Sequence, residues 1–174
     1  MKKPNFLWSL WGFATTSLLG TVLHFLFDLT QKSTLVAPFS GVNESTWEHM
    51  KLFFWPFFVF TIIEYFFFKS EKCFLSTKLR ALLIGLISIP VLFYTYNGVI
   101  GKSPDFINIA IFFVSAFFAY LYEYRAFEKE NVTCKNQILP LAIFILIGAS
   151  FVVFTFFSPE LAIFKDPITG TFGI

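Results

Sequence analysis

Two histidines and three carboxylates stand near the ends of two apolar segments. His24 and Asp28 belong to the first; Glu44, Glu48 and His49 open the second. The chain has no other histidine. Ser17, Thr21, His24 and Asp28 follow at spacings that place them on one helical face. Glu44 and Glu48 are four apart and share a face, with His49 about 100° round the axis from Glu48. Imidazole and carboxylate together suit zinc, iron or manganese. In helical bundles such ligands project inward from facing helices. His24, Asp28, Glu48 and His49 are therefore candidate ligands of a divalent metal such as zinc. Glu44 and Glu48 are candidate catalytic carboxylates beside a metal-activated water. No HExxH or Glu-x-x-His spacing occurs, so the assignment rests on clustering alone.

Plainer roles compete for the same residues. Asn43 suits the N-cap of the second helix and Glu44 its positive dipole end. His24 and Asp28 can satisfy each other or the following loop by hydrogen bonding. Trp47, Trp55, Tyr94 and Tyr96 suit an aromatic belt at a membrane interface. Tyr94, Tyr96 and Asn97 end the third helix on the same side and extend the polar set. The terminal Asp166-Pro167-Ile168-Thr169-Gly170 run has the composition of an ordered turn.

The elements that must carry these residues are apolar. Of 174 residues, 56% are hydrophobic and 14% charged, and 28 are phenylalanine. Soluble domains average about 45–50% and about 25%. A soluble domain of this size has no interior large enough for that much apolar surface. Five stretches reach the roughly 20 residues a bilayer demands: about 6–29, 44–68, 79–97, 106–127 and 138–157. They lack the alternation of barrel strands, so helices are the only spanning form open to them. Pro56 and Pro90 fall inside two of the stretches, and Pro140 near the start of the last. The fold expected is all-α: one domain over residues 1–174, a polytopic bundle of five transmembrane helices in the cell membrane. The run after Met1-Lys2-Lys3 is too long for a signal-peptide core and reads as a retained helix.

Charge sets the orientation. Lys2, Lys3, Lys69, Lys72, Lys78, Arg80, Arg125, Lys129 and Lys135 fall on one side, and Lys32, Lys51, Lys102 and Lys165 on the other. The first set marks the cytoplasm, so the N-terminus is expected inside and the C-terminus outside. Cys73 and Cys134 then lie in cytoplasmic loops, where reduced thiols are expected. Glu64 lies deep in the second helix and is expected to pair with a base such as Arg80. It is also a candidate proton relay on one interior path with His49. The Asn43-Glu44-Ser45 and Asn131-Val132-Thr133 sequons are discounted by position. Phosphate loops, nucleophile elbows and basic-aromatic patches are absent, which argues against nucleotide and nucleic-acid chemistry.

The run Phe39-Ser40-Gly41-Val42-Asn43-Glu44-Ser45-Thr46-Trp47-Glu48-His49 and the helix ending Ile63-Glu64-Tyr65 resemble a family of small bacterial and archaeal membrane proteins of unknown function. Leu23-His24-Phe25, the stretch Ile89 to Tyr96 and the ending Asp166 to Ile174 share the resemblance. It covers nearly the whole chain and implies the membrane class, but no activity.

Three functions fit: a metal-dependent intramembrane enzyme acting on a lipid-type substrate, a non-catalytic module binding lipid or a partner, and a small oligomeric carrier. Membrane lipids are the expected partners in each. The carrier would need an oligomer, since five helices are few and no repeated halves occur.

Overall fold

The computed structural model describes residues 3–71, 73–101, 103–129, 134 and 136–174. Five long helices follow in order: α1 (Phe6–Leu29), α2 (Thr46–Phe68), α3 (Phe74–Val99), α4 (Asp105–Glu128) and α5 (Ile138–Phe156). All five are long and apolar enough to cross a membrane. A short 3-10 turn (Ala162–Phe164) precedes the C-terminal tail. Lys2, Lys72, Lys102, Lys135 and the Asn131 sequon lie outside the described residues.

Two helix starts differ from expectation by more than one residue. α2 begins two residues later than 44, because Ser45 is its N-cap and its hydroxyl accepts from Glu48 N. Asn43 instead folds a turn, its Oδ1 accepting from Ser45 N. α3 begins at Phe74 rather than 79 and takes in Lys78, which is fully buried.

α2 is the most buried helix and packs against α1, α3 and α5. Phe53, Phe54, Phe57 and Phe60 build the core along it. α1 meets its neighbours through small residues: Ser9, Gly12, Thr16, Ser17 and Gly20. Lipid offers no hydrophobic drive between helices, so close backbone approach and hydrogen bonds must supply the contact. A Cβ on Gly12 would sit 2.3 Å from the Tyr120 ring, and the Tyr120 hydroxyl lies 2.7 Å from that of Thr16. The opposite face of α1 turns Trp11 and Leu18 outward, each 67% exposed, as lipid contact requires. Pro56 has no N–H, so the Leu52 carbonyl four residues earlier loses its helical donor. α1 comes close at that point: a Cβ on Gly20 would lie 3.1 Å from Leu52 O.

Two lysines assigned above to loop charge are inside the bundle. Lys51 Nζ lies 2.6 Å from Glu48 Oε2 and also donates to Ala37 O and the Thr155 hydroxyl. Lys78 Nζ lies 2.5 Å from Glu64 Oε2 and 2.6 Å from Glu123 Oε2. Glu64 therefore pairs with Lys78, while Arg80 is exposed. The remaining described basic residues still divide unevenly. Lys3, Lys69, Arg80, Arg125 and Lys129 gather at the end holding the N-terminus, against Lys32 and Lys165 at the other.

Cys73 and Cys134 form a disulfide that ties the α2–α3 loop to the α4–α5 loop, with Cα atoms 5.4 Å apart. This corrects the expectation of two free thiols. A separation of 61 residues carries no pairing signal; only the antiparallel bundle brings the two loops together.

Candidate metal centre

The end of the bundle opposite the disulfide is closed by ordered chain. The 30–45 loop folds over α1 and α2, and Gly41 N donates to Leu23 O, next to His24. Val42 N donates to Glu48 Oε2. Trp55 Nε1 donates to Pro38 O. The C-terminal tail docks on the same surface: Asn43 Nδ2 donates to Gly173 O and the Thr46 hydroxyl to Ile163 O. Trp47 packs between Phe151 and Phe164, with ring centroids 4.6 Å from each and the planes tilted, within this cap.

Glu44 protrudes from the loop between the two histidines. Its carboxylate oxygens lie 3.6 Å from His24 Nε2 and 3.6 Å from His49 Nε2. One ligand atom from each of the three residues lies within 4.8 Å of the others. A distance of 3.6 Å is too long for a hydrogen bond, which needs about 2.7–3.2 Å. Each distance, one from each Glu44 oxygen, is close to one edge of a zinc tetrahedron, where metal–ligand bonds of about 2.0–2.1 Å set ligands about 3.3 Å apart. His49 Nδ1 sits 2.9 Å from Ser45 O. A carbonyl only accepts, so Nδ1 carries the proton, and in the neutral ring Nε2 keeps its lone pair. Backbone carbonyls fix metal-binding imidazoles in this way.

A cavity of about 230 Å³ opens beside the histidines. Gly20, Thr21, Leu52, Ile109, Phe112 and Phe113 complete its lining, so it is polar at the His24–His49 end and apolar elsewhere.

The other expected ligands go elsewhere. Asp28 is exposed and belongs to no such group; the polar stripe of α1 turns out of the bundle as it rises, from buried Ser17 to exposed Thr21 and Asp28. Glu48 is buried, its Oε2 is engaged by Lys51 and Val42 N, and it stands outside the His24–Glu44–His49 group. Tyr94 meets the Thr46 hydroxyl at 3.3 Å. Asn97 bonds Phe93 O and Ser103, closing the α3–α4 turn. Tyr96 is half-buried. Glu64 belongs to the Lys78 cluster near the opposite end, and buried Phe53, Phe57 and Phe60 intervene along α2, which removes the support for a path from His49.

The carboxylates of Glu48 and Glu44 look alike in sequence, but Lys51 separates them. An i,i+3 Glu–Lys pair inside an apolar helix was the available signal.

Residues 2–174 match the model of DUF6512, a family of unknown function, so the chain belongs to that family. No curated protein and no solved structure matches it.

Proposed function

We propose that this member of a family of unknown function is a multi-pass protein of the cell membrane that holds a divalent transition metal, zinc foremost, on His24, His49 and Glu44, and acts on a lipid-type substrate. The observation that carries the proposal is the convergence of those three side chains, two of which, His24 and His49, line an apolar cavity. Two histidines and a glutamate with an open fourth position are a ligand set of catalytic zinc. A metal bound there supplies a polarised water at neutral pH. Ser45 orients His49, and Glu44 offsets part of the metal's charge. Ile109, Phe112 and Phe113 offer an acyl chain the apolar wall it needs, and Gly20 keeps that wall open. The half-exposed Glu44 leaves the site accessible.

A non-catalytic lipid-binding role is the second reading, favoured by the capture of Glu48 by Lys51. It predicts bound metal without phospholipid turnover. The basic residues at the other end favour a cytoplasmic N-terminus and a metal site on the outer face; the disulfide at the basic end is the observation set against that orientation.

Elemental analysis of the detergent-purified protein tests the ligand set. Near-stoichiometric metal is expected in the parent and in Asp28→Ala, and loss in His49→Ala and Glu44→Gln. A metal-free parent, or a Glu44→Gln protein that keeps its metal, would refute the assignment.

A further inference from the structure

At the basic end, α3 and α4 part around a second cavity, of about 460 Å³. Arg80 enters its lining from α3, and Arg125 and Lys129 from the end of α4. The five ion pairs among the described residues involve only His24, His49, Lys51 and Lys78 as the cationic side. Among the described residues, Arg80, Arg125 and Lys129 therefore share a cavity whose lining includes no carboxylate. Glu123, the nearest acid in α4 to Arg125 on its N-terminal side, is buried and bound to Lys78; Glu128 does not line the cavity.

The cavity is also graded along the helix axis. Along α4, Arg125 and Lys129 lie at its end, while Phe118 and Leu121 line the cavity further in. Phe118 is seven residues before Arg125, about 10 Å deeper at 1.5 Å per residue. Thr77 and Tyr122 add a hydroxyl and a phenol to the lining. A free anion would use only the charged part. A phospholipid would use both, with its phosphate among the cations and an acyl chain against Phe118.

We propose that the α3–α4 cavity is a binding site for one anionic phospholipid, held by Arg80, Arg125 and Lys129 at its headgroup and by Phe118 and Leu121 at its chain. Basic pockets between membrane helices are suited to such headgroups. The site is independent of the metal centre and stands at the other end of the bundle.

Native mass spectrometry of the full chain in neutral detergent tests it, with phosphatidylglycerol and phosphatidylcholine added separately. Wild type should retain one phosphatidylglycerol with about tenfold preference over phosphatidylcholine, about 1.4 kcal/mol, because its net negative headgroup meets the three cations. R80Q/R125Q, two exposed positions whose replacement spares the core, should lose that preference. Phe118→Trp keeps every charge and crowds the chain-binding wall, and should weaken retention too. Equal retention of the two lipids by wild type would overturn the proposal. Undiminished retention by Phe118→Trp would overturn it in favour of diffuse surface charge. Displacement of the lipid by millimolar inorganic phosphate would overturn it in favour of a free-anion site.

Discussion

Replacing Lys78 with methionine removes one cation from two buried acids. Lys78, Glu64 and Glu123 are each 0% exposed, and the ammonium lies 2.5 Å and 2.6 Å from the two carboxylates. It also sits 4.5 Å above the centre of the Phe57 ring, so the site is dry as well as charged. The second oxygen of each acid, Oε1, has no hydrogen-bond partner, so nothing else compensates the charge. Breaking a buried ion pair costs about 3–5 kcal/mol, most of it from the ion left behind. The two acids lose the same partner, so their losses are coupled rather than additive. Lys78→Met is expected to destabilise by about 3–5 kcal/mol. The triple variant Lys78→Met, Glu64→Leu, Glu123→Leu has no stranded charge and should recover most of that loss, because apolar replacement of whole buried networks is close to neutral. Reversible unfolding in mixed micelles, followed by far-UV circular dichroism, reads both. A Lys78→Met protein within about 1 kcal/mol of the parent would refute the reasoning, because a buried pair that breaks so cheaply is not buried. So would a triple variant as unstable as the single one.

Two further perturbations separate packing from redox state. Gly12→Leu drives a side chain into Tyr120 and Phe60 and should cost about 1–3 kcal/mol, read in the same unfolding assay; a neutral outcome would mean α1 does not pack as described. The thiols of Cys73 and Cys134 should resist a maleimide until reduced. After reduction, an impermeant maleimide added to intact cells should miss them if the basic end faces the cytoplasm, and label them if it faces out.

The bundle was legible because the bilayer imposes one rule on every span, and hydropathy over about 20 residues reports it. α1 was read to the residue, since its apolar run has sharp ends. α3 was not: Lys78 and Arg80 look alike in sequence as interfacial charge, yet one is buried and the other exposed. What buries Lys78 is the pair of acids on α2 and α4, long-range partners that no local pattern shows. The meeting of His24 with His49 followed from spacing and from adjacent antiparallel helices; their rings lie 5.6 Å apart. The choice among carboxylates did not, because Glu44 and Glu48 share a helical face only if both are helical. Ser45 caps the helix between them and puts Glu44 in the loop.

That division gives Glu48 a different task, close to the candidate metal centre but outside it. Its carboxylate accepts from Val42 N, two residues before Glu44, while Lys51 reaches from Glu48 to Ala37 O in the same loop. Asn43 ties the residue next to Glu44 to the tail through Gly173 O, and folds the turn through Ser45 N. Glu44 thus stands between two anchored positions, with its carboxylate presented to both imidazoles. If the loop is what holds Glu44 in place, loosening it should weaken metal binding without removing a ligand. Asn43→Ala deletes two hydrogen bonds, each worth about 1 kcal/mol. If about half of that is lost only from the metal-bound form, zinc affinity falls about fivefold. Competition against a chromophoric chelator measures it directly. An Asn43→Ala protein with parental affinity would show that Glu44 needs no such anchoring, and that the loop and tail serve the fold alone.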